Sequence, residues 1–211
     1  MSEKKLTFGT GGIRAVMGPG DDQLNVNTIH RNTYGYADYI KAKNGKAVVI
    51  AYDNRNNSYL FAGEAAKVLS KCGINVYIFE SLRPTPELSF AVRYLKAFGG
   101  IVITASHNPP EYNGYKIYDS YGCQCVPRDT DEIIKYIDAI EDISAVKRTE
   151  QAGEIIEIGK EVDEAYYEAL LSVQQRPDMD KSIKLIYTPL HGTGYIPVMT
   201  MLKRLGYDIR E

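Results

Sequence analysis

Tryptophan is absent from the 211 residues, cysteine occurs three times, and neither sign of charge is in excess. With 25 basic and 27 acidic side chains the formal charge is -2. A protein whose main partner is nucleic acid needs a basic run or stripe, and none stands out, so no nucleic-acid partner is expected. Cys72, Cys123 and Cys125 are an odd number, and the single Cys-x-Cys spacing fits neither a zinc knuckle nor a redox pair. They read as free thiols of a reducing, cytoplasmic compartment. No stretch approaches the ~20 apolar residues of a membrane span. The opening Met1-Ser2-Glu3-Lys4-Lys5 leads into no apolar signal segment, so no membrane partner is expected either. No internal repeat or low-complexity tract is visible.

What is present is organised around one loop. Gly100-Ile101-Val102-Ile103 is a short apolar run that reads as a buried strand. Thr104-Ala105-Ser106-His107-Asn108-Pro109-Pro110 follows it, and the two prolines stop regular structure. Ser106 and His107 therefore lie on a loop at the C-terminal end of a strand, the edge at which open α/β sheets bind ligands. A hydroxyl flanked there by an imidazole and an amide can take up and release a phosphoryl group. Asn113-Gly114 reads as a tight-turn pair that folds the chain back and aims the Lys116 ammonium toward Ser106.

The remaining segments alternate. Phe8-Gly9-Thr10-Gly11-Gly12-Ile13-Arg14 has three glycines in four positions, which lets backbone approach a ligand and present N–H groups to an anion. Arg14 adds a fixed fork of donors suited to phosphate. No Gly-Lys-Ser/Thr follows, so this is not a P-loop. A helix is expected over Val26 to Lys43 and a strand over Ala47 to Tyr52. The strand ends at Asp53-Asn54-Arg55, whose charged pair either faces the ligand or, as is commoner, caps the next helix and pairs internally. Ser58 reads as that helix's N-cap. Strands at Asn75 to Phe79 and Gly100 to Thr104 enclose a helix at Pro86 to Lys96, and Tyr115 to Asp119 reads as a strand along the sheet edge. Asp129 and Asp131 lead an apolar helical stripe from Ile133 to Ile140, and read as cap and first-turn charge more than as a metal site. Strand and helix alternating at this spacing imply an α/β fold, mainly parallel, with helices on both faces. Glu141 to Gln151 is polar and unpatterned, a linker. The expected division is 1–145 as one domain and 146–211 as the start of a second, with Glu154 to Ile158 and Ile183 to Tyr187 as strands. In the second, Thr188-Pro189-Leu190-His191-Gly192-Thr193-Gly194 reads as a strand-to-helix turn, with His191 a weaker ligand candidate.

Thr-Ala-Ser-His-Asn-Pro followed by Tyr-Asn-Gly-Tyr-Lys closely resembles the phosphoserine loop of the α-D-phosphohexomutases, the phosphoglucomutases and phosphomannomutases. The glycine-rich opening through Arg14 resembles the same family's N-terminal segment, closest to its phosphoglucomutase and phosphopentomutase branches. The resemblance implies catalytic roles for Ser106, Lys116, Arg14 and His107. It also implies contacts to phosphate or substrate from Thr10, Gly11, Thr104 and Asn108, and marks Arg83, beside a Thr-Pro segment, as a weaker candidate. It implies a phosphoserine at Ser106 that exchanges its phosphoryl group with a phosphosugar, with a glucose bisphosphate-type activator and Mg2+. Ser106 would hold the metal through its phosphate. The family's Asp-x-Asp-x-Asp metal loop is not in this sequence, and Asp178-Met179-Asp180 is only a near match. The reading is therefore the front part of a phosphosugar mutase, inactive by itself, with a sheet edge through which copies could associate. Within the family the resemblance favours phosphoglucomutase activity; the alternatives are phosphomannomutase or phosphopentomutase activity, or a non-catalytic phosphosugar-binding role.

Overall fold

A computed structural model describes residues 6–9, 12–145 and 149–210. The chain runs β1 (Ile13–Val16), α1 (Val26–Ala42), β2 (Ala47–Tyr52), α2 (Ser58–Lys71), β3 (Asn75–Phe79), α3 (Thr85–Tyr94), β4 (Gly99–Ile103), β5 (Tyr112–Tyr118) and α4 (Pro127–Asp138). It continues through a 3-10 turn (Ile143–Ala145), β6 (Ile155–Ile158), α5 (Lys160–Ser172), β7 (Leu185–Ile186), α6 (Tyr195–Arg204) and β8 (Ile209–Arg210).

Six strands form one sheet in the order β1-β5-β4-β2-β3-β6. The pairings of β2 with β3, β2 with β4 and β3 with β6 are parallel, and those of β5 with β4 and β1 are antiparallel. Side chains alternate between faces along a strand, and β2 divides accordingly. Val48 and Ile50 enter a core with α1, α2 and α4. Val49 and Ala51 enter a second core with Leu88, Ala91 and Val92 of α3 and Val162 of α5. This is the expected α/β architecture with helices on both faces.

Four local expectations change. No strand was expected at Ile13–Val16, because four residues among glycines carry little periodic signal, yet β1 forms the outer strand. β5 therefore lies inside the sheet, not along its edge. Asn113 and Gly114 are not a turn; both are buried within β5, and a Cβ on Gly114 would lie 2.4 Å from the Thr104 carbonyl oxygen and 2.6 Å from that of Ile13. The chain reverses earlier, through residues 106–111. Ser58 is the first helical residue and Asn57 the N-cap, in the left-handed region at φ 63°, and the Ser58 hydroxyl donates to Asp53 instead of capping. Finally β6, which follows the polar linker, pairs with β3 and extends the first sheet. β7 and β8 form a separate two-stranded parallel sheet.

Candidate active site

Three strands build the site. β2 runs into Asp53, β4 runs into Thr104, and β5 runs back beside β4 carrying Lys116 opposite Val102. Asp53 ties the first two. Its Oδ1 accepts hydrogen bonds from the Arg55 N–H (3.0 Å) and the Ser58 hydroxyl (2.6 Å). Its Oδ2 accepts one from the Thr104 hydroxyl at 2.6 Å. Thr104 Oγ1 in turn accepts the Ser106 N–H at 3.0 Å. Below this, Asn113 donates to the Ser58 hydroxyl (2.8 Å) and to the Asn56 carbonyl (3.0 Å), joining β5 to the start of α2. Asp53 and Arg55 thus pair internally, as expected, but no side chain caps α2.

Ser106 sits at φ 58°. That conformation costs a residue with a side chain roughly 1–2 kcal/mol. Arg55 opposes the cost. One terminal nitrogen donates to the Ser106 and Asn108 carbonyls at 2.8 and 2.6 Å, and the other to those of Pro109 and Tyr112 at 2.9 and 3.1 Å. A hydrogen bond to a charged group contributes about 1.5–3 kcal/mol, so any one of the four is of the size needed to hold Ser106 left-handed. The twist also brings neighbours together. Side chains of adjacent residues usually diverge, yet Ser106 Oγ lies 3.3 Å from His107 Nδ1.

Arg14 lies opposite Gly114 across β1 and β5 and donates to Asn108 Oδ1 at 2.9 Å. Gly12, at φ +98°, is pressed against β5: a Cβ there would lie 2.3 Å from the Tyr115 carbonyl oxygen and 2.9 Å from Lys116 Cα. At Gly12 the glycine-rich opening thus backs Lys116 and does not face a ligand. Burial, and after it the neighbouring Arg14 cation, hold the Lys116 ammonium below its ordinary pKa. Those are the two influences that make a lysine a usable base.

Ser106, His107, Asn108, Thr104 and Lys116 all line a cleft of about 830 Å³. Thr10 and Gly11 lie outside the described residues. Arg83 is not in the cleft. It is buried, forks onto Asp163 of α5 at 2.7 and 2.8 Å and stacks over Phe79, so it joins α5 to the sheet. Asp129 is first-turn charge on α4, where no side chain caps the helix. Pro189 to Thr193 also line the cleft, which brings His191 to the site. Sequence reasoning missed the Arg55 clamp and the Asp53–Thr104 link. The signal available was a charged pair at one strand end, with no indication that its partners lay some fifty residues ahead.

A family model described as phosphoglucomutase/phosphomannomutase, alpha/beta/alpha domain I, matches residues 5–144. The chain belongs to this family. A phosphoglucomutase of Staphylococcus saprophyticus is 38% identical, the match covering 97% of this chain and 38% of that protein. One from Staphylococcus aureus (strain MRSA252) is also 38% identical, over 98% of this chain and again 38% of its own length. A crystal structure from Thermus thermophilus, provisionally named phosphomannomutase, superposes with a TM-score of 0.79 at 30% identity, covering 96% of this chain and 44% of that one. The chain thus spans well under half the length of the family members it matches. The loop carrying Ser106 falls within the matched domain.

Proposed function

We propose that this chain is the phosphoserine-bearing part of a phosphoglucomutase, which interconverts glucose 1-phosphate and glucose 6-phosphate. The observation that carries the reading is Ser106 held left-handed at a strand's C-terminal edge, in one cleft with a lysine whose proton affinity is lowered. Phosphoryl transfer depends mostly on positioning and charge neutralisation; this chain's own side chains provide the positioning, and Mg2+ would supply the greater part of the charge. Ser106 Oγ carries the phosphoryl group. Its P–O bond breaks as a bond to the sugar hydroxyl forms, and the hydroxyl proton passes by way of the neutral Lys116 amine to the departing Ser106 Oγ, which leaves as a hydroxyl. The bisphosphate turns, and its other phosphoryl group returns to Ser106. Arg14 keeps Lys116 poised and orders Asn108. His107 sits against Ser106 Oγ and donates to a phosphoryl oxygen when one is there.

Mg2+ is the metal this reading calls for, supplying charge to the phosphoryl oxygens. Among the described residues no three His, Cys, Asp or Glu side chains gather to hold a metal ion. Both oxygens of Asp53, the carboxylate that touches the loop, are engaged by Thr104, Ser58 and Arg55. The residues present do not make a metal site, and no step is routed through one.

In an enzyme of full family length, peptide mass mapping is expected to find phosphate on Ser106, and Ser106→Ala is expected to abolish turnover, since the carrier oxygen is gone. Phosphate on a different residue, with the alanine variant still active, would sink the assignment.

A further inference from the structure

We infer that Arg55 is the positioning residue of the serine loop: it holds Ser106 in its left-handed conformation and touches no substrate. An arginine lining a cleft that takes phosphate is ordinarily read as a phosphate ligand. The count of donors here argues otherwise. A guanidinium has five N–H groups in a fixed fork and cannot accept. Four are matched by the carbonyls of Ser106, Asn108, Pro109 and Tyr112 at 2.6 to 3.1 Å. The fifth, on Nε, faces Asp53 Oδ2 at 3.5 Å. None is left for a ligand. The side chain is largely buried, at 13% exposure.

A chain that departs from a ladder leaves carbonyls needing donors, and Arg55 supplies them to four along this reversal, of which that of Pro109 also accepts the Tyr112 N–H. Inside the loop only short bonds compete, such as Asn108 N–H to the Ala105 carbonyl at 3.2 Å and Tyr112 N–H to that of Pro109 at 3.0 Å. Arg55 therefore spans the whole reversal from Ser106 to Tyr112 from one point at the end of β2. Asp53 completes the frame, fixing the Arg55 backbone and, through Thr104, the Ser106 N–H. A lysine would keep the charge but offers a single nitrogen, which cannot reach four carbonyls in fork geometry. The geometry of the fork, more than its charge, is what the loop uses.

The consequence for turnover rests on the mutase reading; the clamp itself does not, and the test separates them. Solution NMR on the 211-residue chain compares wild type with Arg55→Lys and Arg55→Ala, reading the Ser106 Cα and Cβ shifts and amide exchange from Ser106 to Tyr112. Both variants are expected to lose the left-handed shift signature of Ser106, and loop amides to exchange about ten-fold faster or more, with β2 and β4 amides unchanged. If Arg55→Ala does not fold, Arg55→Lys alone carries the test. An unchanged Ser106 signature in a folded variant overturns the clamp. In the family-length enzyme, Arg55→Lys is expected to lower kcat ~10²-fold, the scale of a small misplacement, with KM for glucose 1-phosphate within about three-fold, as for a loss confined to the transition state. A KM increase that accounts for the loss would make Arg55 a substrate ligand and overturn the inference. A wild-type enzyme without mutase activity would sink the functional reading, and the NMR result would still decide the clamp.

Discussion

Lys116 and Arg14 are two cations on neighbouring strands, and their proximity has a testable consequence. The folded protein holds Lys116 below the usual lysine pKa, first by burial and then by Arg14. A base must be neutral to accept a proton, so the rate should rise with pH through the Lys116 pKa. Removing Arg14 takes away one of the two depressing influences and moves that pKa up. The ascending limb of kcat against pH in the family-length Arg14→Ala enzyme is therefore expected to shift to higher pH, in addition to any loss of rate. A limb that stays in place, or moves down, would show that Lys116 is not the base. Lys116→Met is expected to remove the limb and lower kcat by ~10²–10³, the usual loss for one interaction of this kind. At this scale the sequence was informative where chemistry is carried by adjacent residues. Thr104, Ser106, His107 and Asn108 are contiguous, and their string could be read. Arg55 and Asp53 act on residues some fifty positions away, so their partners exist only in the folded chain. The contact of Ser106 with His107 depends on one backbone angle, which a residue with a Cβ does not advertise.

Elements were legible when their apolar pattern was long. α1, β2 and α2 lie close to where periodicity places them, because each buries a continuous stripe. β1 was missed because its four residues have only one buried side chain, Ile13, and its place comes from pairing with β5. Asn113 and Gly114 misled because the same pair that favours a turn also fits a strand pressed between two carbonyl oxygens. The join between α3 and α5 has a pH dependence of its own. Glu87 of α3 is fully buried, with its carboxyl beside that of Asp163. Arg83, its nearest cation at 4.0 Å, is committed to Asp163. Burial, and after it the Asp163 carboxyl, push the Glu87 pKa from 4.5 up to about 8. The unfolded chain therefore releases the proton near 4.5 while the folded chain keeps it until about 8. Between those limits the folded state binds more protons, so stability falls as pH rises. That contribution is complete below the unfolded pKa and gone above the folded one. Urea midpoints measured from pH 5 to 9 are expected to decline for the wild type and to flatten in Glu87→Gln, which keeps shape without a proton to lose. Parallel slopes in the two proteins would mean that another group sets the trend.

The whole molecule divides its apolar surface unevenly, and that division has a physical outcome. From β1 through α4 the large side chains are mostly buried in two cores on the faces of one six-stranded sheet. The segment around β7, α6 and β8 differs. Ile183, Ile186, Leu190 and Ile196 are 60%, 89%, 80% and 57% exposed. β7 and β8 pair over two residues each, and a two-stranded unit of that size has little stability of its own. α6 rests on α5, which anchors one side and leaves these side chains in solvent. Exposed apolar groups near strand edges favour pairing with another copy. The 211-residue chain is therefore expected to self-associate with rising concentration, and sedimentation velocity over a hundred-fold range can follow it. Ile186→Lys changes the most exposed of these residues without touching either core. It is expected to weaken association while leaving the thermal midpoint of the main sheet in place. If wild type and variant sediment alike as monomers across the range, this face is not adhesive and the proposed association fails. An Ile186→Lys variant with a lowered thermal midpoint would show that the residue is packed, and would overturn its assignment to an adhesive face.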